Sequence, residues 1–163
     1  MSLFQNRSAP VTFRFGFVEA PFSVLCDALQ NWFQTIDTKH AVRTAFHAMT
    51  AQLEEAVLSL EPLTTPPDRY LLVETTSNWT AIFANGLRGN DVASAVGYLP
   101  RILNRIRDRF TPEMLERYCR ALGIELSNAN FYGLRSCAVR TTGQKQRGDL
   151  SMSISEANAD LDL

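Results

Sequence analysis

The chain is poor in the residue types that usually announce chemistry. Cysteine is scarce and odd in number: Cys26, Cys119 and Cys137 form no CxxC pair and stand at no metal-ligand spacing from a histidine. Buried free thiols are the first reading, because free cysteine packs like a small hydrophobe; a reactive thiol or an intermolecular bridge is the other. Only two histidines occur, His40 and His47, seven apart on one expected helix. Two turns of helix hold them about 10 Å apart, too far to chelate one ion by themselves. Also lacking are the GxSxG elbow, the P-loop, GxGxxG and HExxH. No metal or cofactor is therefore expected, and the enzyme reading gains little support.

Charge of one sign is missing too. A formal net charge of -1 excludes a globally basic nucleic-acid binder, so a charge-driven partner must be recognised by a local patch. No stretch reaches the roughly 18 uninterrupted apolar residues that span a bilayer, and "MSLFQNRSAPVTFRFGF" lacks the basic-then-apolar order of a signal peptide. A cytoplasmic protein without a membrane segment is the expectation. Asn78-Trp79-Thr80 matches a glycosylation acceptor and Arg147-Gly148-Asp149 an adhesion tripeptide; neither has a consequence without secretion.

What is present is enough apolar sequence for one core: 163 residues with 45% hydrophobic content fit a single domain. Residues 11 to 19 alternate as a strand, with Val11, Phe13, Phe15 and Phe17 on one face. Phe22, Leu25, Leu29, Trp32, Phe33 and Ile36 recur at helical spacing after Pro21 and predict a helix over 21–36. Val42, Phe46, Met49, Leu53, Val57 and Leu60 continue that period and predict a second helix over 38–60. Three prolines in "EPLTTPPDR" make a connector. Two β-prone runs, 69–75 and 78–84, predict a hairpin, with Trp79, Ala81 and Phe83 on one face and Thr80 and Ile82 on the other. Asn85-Gly86 and Gly89-Asn90-Asp91 supply turn residues, the last able to cap a following helix over 92–110 that Pro100 must kink or split. "FTPEMLERYCRALGIE" has a Thr111 cap, Pro112 in the first turn and Gly123 as terminator. "NANFYGLRSCAVR" suggests one further short strand. The resulting expectation is an α+β domain over 1–140, a small, mainly antiparallel sheet with helices packed on one face, followed by a mobile or partly docked acidic tail over 141–163.

Binding candidates lie mostly in the middle of the chain. Arg101, Arg105 and Arg109 recur every four residues with Arg107 beside them, a basic ridge on any helix there. Its plainer reading is a solvated face balanced by acids; its functional one is an anion or acidic-partner site. Trp79, at the expected hairpin tip, is the aromatic placed to anchor a partner, and Arg88 stands between turn glycines. Asn85 and Asp91 complete the candidate set.

The segments "FGFVEAP", "LEPL", "NWTAIFANGLRGND" and "RFTPEMLERYCRALGI" resemble a family of small uncharacterised bacterial proteins. Trp79, Thr80, Asn85, Gly86, Gly89, Asp91, Arg109, Phe110, Thr111 and Tyr118 match the pattern. The resemblance implies an α+β fold and no established activity, and it is loosely similar in kind to toxin-immunity proteins. In the family, further strand sequence is expected between the helix after the GxD turn and the "RFTPEML" helix; here Leu103 runs almost directly into Arg109. Two functional expectations follow: a non-enzymatic protein-binding domain with a protein partner or a second copy of itself, using loop 85–91 and the ridge, or a small-ligand protein or enzyme with a pocket between the sheet and the first two helices.

Overall fold

The computed structural model describes residues 3–4, 9, 11–40, 43–65, 67–87 and 112–142. The expected kinked helix over 92–110 and nearly all of the expected tail lie outside these residues. In chain order the elements are β1 (Gly16–Glu19), α1 (Phe22–His40), β2 (Arg43–Thr50), α2 (Leu53–Val57) with a 3-10 turn (Leu58–Leu60), β3 (Arg69–Thr75), β4 (Trp79–Ala84), α3 (Pro112–Ala121), a 3-10 turn (Ala129–Phe131) and β5 (Tyr132–Thr142).

Five strands form one antiparallel sheet in the order β1-β4-β3-β5-β2. The β3–β4 hairpin has the expected strands, and period-two alternation assigns its residues to two cores. Leu71, Val73, Ala81 and Phe83 face one side, where they meet Leu53, Ala56, Val57, Leu60, Cys119 and Ile124. Leu72, Ile82 and Ala84 face the other, against Leu25, Leu29 and Phe33 of α1. The α+β class and the antiparallel sheet are as expected; helices cover both faces where one was expected. Central strands buried on both sides need apolar residues at consecutive positions, as Leu71-Leu72-Val73 and Ala81-Ile82-Phe83 supply.

The second expected helix is corrected. Helix α1 runs on to His40, and Arg43–Thr50 is a strand paired along its whole length with β5. The apolar spacing through Phe46 and Met49 satisfies a helix, but Thr44, Phe46 and Ala48 also alternate, and pairing with β5 along all eight residues decides between the two periods. That partner, β5, is eleven residues long rather than short and runs through Thr142, past the expected boundary at 140. At the other end, β1 keeps only the four residues that register with Trp79–Ile82 of β4, and Phe13, expected on the buried face, is 45% exposed.

Helix α3 ends as its sequence requires. Gly123 takes φ +75, its N–H bonds to Arg120 O at 3.0 Å, and Ile124 N–H bonds to Cys119 O at 2.8 Å, which satisfies two of the last carbonyls in a Schellman arrangement. Buried Ile124 and Cys119 supply the apolar contact that accompanies it.

Candidate functional site

Of the candidates named from sequence, Asn85 and Trp79 are among the described residues; Arg88, Asp91, Arg101, Arg105 and Arg109 lie outside them. Asn85 is completely buried at the end of β4. Its Oδ1 accepts from the N–H groups of Asp68 and Arg69, both at 3.0 Å, while Nδ2 faces Pro62 O at 3.0 Å, Thr64 Oγ1 at 3.1 Å and Asp68 Oδ1 at 2.7 Å. Backbone bonds from Thr64 N to Asn85 O and from Asn85 N to Arg69 O close the same knot. Both ends of the amide are thus engaged inside the molecule, where they fix the proline-rich connector against the sheet. Gly86 continues into a parallel bridge with Thr64, so Asn85-Gly86 extends the strand's line instead of making the expected tight turn.

Trp79 opens β4 half-buried and packs against the first core. Its indole N–H donates to Leu122 O at 3.1 Å, just beyond α3. The ring therefore joins the hairpin to α3, and its polar edge is already partnered.

Among the described residues, β2 ends the sheet order opposite the short β1 and is the longer of the two edge strands. Ala51 N–H bonds to Leu134 O at 2.9 Å, and because backbone direction alternates along a strand, Arg43, Ala45, His47 and Met49 point their N–H and C=O groups towards β5. Thr44, Phe46, Ala48 and Thr50 consequently present theirs outward. Arg43, Ala45, His47, Ala48 and Thr50 are exposed. Arg140 of β5 lies opposite Ala45, so exposed Arg43 and Arg140 are diagonal neighbours on the face away from α1. His47 sits on this strand and not on a helix shared with His40.

A second cluster lies on the opposite face. Cys26 on the inner stripe of α1 and Cys137 on β5 pack in one core with Leu25, Leu29 and Val139. The neighbouring Cys26 side chain holds the Cys137 thiol below its ordinary value against the pull of burial, with the His47 backbone adding to the effect. Cys26 is pushed up, first by Cys137 and then by burial. Arg135, next to this pair, lies 5.3 Å from the Phe22 ring centre and bonds Glu74 Oε1 at 3.2 Å. Neither the β2 edge nor the cysteine contact was foreseen: alternation at Thr44, Phe46 and Ala48 was a signal for the first, whereas only topology brings residues 26 and 137 together.

An open groove of about 320 Å³ lies between α3 and the following loop, lined by Glu116, Arg120, Ile124, Glu125, Ser127 and Asn128. It is not the place expected for a ligand pocket; one wall of that place, the second helix, is a strand, and Leu25, Leu29, Phe33, Phe46 and Tyr70 pack together between α1 and the sheet. Among the described residues no group of three or more His, Cys, Asp or Glu side chains could hold a metal, and no helix is long and apolar enough to cross a membrane. No protein-family model, curated protein or solved structure matches the chain.

Proposed function

We propose that this is a non-enzymatic protein-binding domain that takes an extended, acidic segment of its partner onto the outer edge of β2. The observation carrying this reading is the outward-facing backbone of Phe46, Ala48 and Thr50 on a strand free of proline and bulges. Main-chain hydrogen bonds would supply affinity, and exposed Arg43 and Arg140 favour carboxylates at one end of the incoming strand. Asn85 and Trp79 serve this function indirectly, by fixing the sheet. Loop 85–91 and the arginines at 88, 101, 105 and 109 are proposed as a second contact, and the turn-motif resemblance makes a bacterial toxin the first partner to try.

Partner capture from the native host tests the reading. Ala48→Pro removes an outward N–H but none that bonds β5, so it should leave the fold intact and abolish capture. Arg43→Glu should weaken capture and Arg88→Ala or Arg105→Ala should reduce it. Full capture by folded Ala48→Pro would refute docking at β2, and full capture by both arginine-to-alanine variants would remove the second contact.

A further inference from the structure

We propose that Cys26 and Cys137 form a dithiol site that peroxide converts to an intramolecular disulfide, tying α1 to β5. Geometry carries this independently of the docking reading. Helical spacing puts Cys26 on the same stripe as Phe22, Leu25 and Leu29, and strand alternation turns Cys137, like Val139, towards that stripe. The two side chains pack in the same core, and both thiols are free.

The surroundings divide the roles between them. Cys26 is half-buried and lies on the solvent side, while Cys137 is 7% exposed beneath it. The neighbouring Cys137 and burial push the Cys26 thiol up and outweigh the Arg135 guanidinium, which Glu74 neutralises in part, so Cys26 stays protonated. Cys26 and the His47 backbone hold the Cys137 thiol below its ordinary value against burial, which makes it the first nucleophile. In the first step, Cys137 sulfur attacks one oxygen of hydrogen peroxide; the S–O bond forms, the O–O bond breaks, and the thiol proton leaves with the departing hydroxide as water. Cys26 sulfur then attacks Cys137 sulfur; the S–S bond forms, the S–O bond breaks, and the Cys26 proton leaves with hydroxide as a second water. Two thiols are oxidised by two electrons and one peroxide is reduced. Cys119, buried in the other core across the sheet, is left out.

The test uses the full chain treated with hydrogen peroxide near neutral pH, followed by thiol titration after denaturation, intact mass and peptide mapping. Free thiols should fall from three to one, the mass should drop by about 2 Da, and a 26–137 crosslinked peptide should appear and vanish with dithiothreitol. Cys26→Ser, at a half-buried helix position that tolerates serine, should instead accumulate Cys137 sulfenic acid, trapped by dimedone, and keeps the test alive if Cys137→Ser does not fold. Cys137→Ser should keep both remaining thiols at the same dose. Sulfinic acid at Cys137 without a crosslink, covalent dimers as the main product, or equal loss of Cys119 would each overturn the proposal.

Discussion

Replacing Asn85 by alanine should destabilise the fold far more than deleting one exposed polar side chain would. The variant keeps both backbone bonds of residue 85 but strips partners from the Asp68 and Arg69 N–H groups, from Pro62 O and from the Asp68 carboxylate. A net hydrogen bond contributes about 1 kcal/mol, one to a charged group about 1.5–3, and a buried donor left without a partner costs about 1–3. Water entering beside the half-buried connector relieves some of this, so we expect a loss of about 3–5 kcal/mol. Against a typical stability of about 5–15 kcal/mol that is a large fraction. Urea unfolding followed by far-ultraviolet circular dichroism should show the midpoint falling by about 2 M, given a slope of about 2 kcal/mol per molar for a small domain. A milder variant, Thr64→Val, gives up the bonds joining Thr64 Oγ1 to Asp68 and Asn85 and should cost about 1–2 kcal/mol. A loss below about 1 kcal/mol for Asn85→Ala would refute the view that this amide holds the connector.

Other perturbations probe separate parts of the molecule. Gly123→Ala meets no atom within 4 Å, so its cost should be the left-handed backbone alone, about 1–2 kcal/mol in urea unfolding, and Gly123→Asn should cost less. Trp79→Phe keeps an aromatic ring in the first core and loses the bond to Leu122 O, so thermal unfolding should register a loss of no more than about 1.5 kcal/mol. Burial, with a smaller contribution from Cys119, raises Tyr132 above its ordinary 10.0, and burial raises Cys119 above 9.0. Since both folded values exceed the unfolded ones, this stability is whole below about pH 9 and is lost as pH rises through the raised values. Urea midpoints measured from pH 8 to 11 should fall at the alkaline end. Tyr132→Phe, though weakened at neutral pH by losing the bond to Leu126 O, should fall less steeply above pH 10. An unchanged slope would remove Tyr132 from the alkaline transition.

Local signals were strongest where one period or one terminator acted alone. The β3–β4 hairpin follows from two β-prone runs around Thr76-Ser77, and the end of α3 follows from Gly123. Around Phe46 two periods coexist, and the outcome belongs to β5, whose residues lie some ninety positions downstream, as in the pairing of Phe46 with Val139. The candidate site divides in the same way. Asn85 stands out in sequence as a turn residue beside glycine, yet its partners, Pro62, Thr64 and Asp68, become neighbours only when the connector folds back on β4. The contact of Cys26 with Cys137 is likewise set by where α1 crosses β5, a property of the sheet order rather than of either segment.

That order has a consequence for synthesis on the ribosome. Strand β2 is complete at Thr50, but its neighbour β5 begins at Tyr132 and also separates β2 from β3. At about 5–20 residues per second, roughly eighty residues of translation leave β2 without its neighbour for about 4–16 s, plus the time needed to clear the exit tunnel. During that interval the margin of β2 that β5 will cover is available to other chains. Yield of soluble protein should therefore depend on how quickly the nascent chain passes from 50 to 142, and slowing codons in that interval should favour co-aggregation through Arg43–Thr50 even though the amino-acid sequence is unchanged.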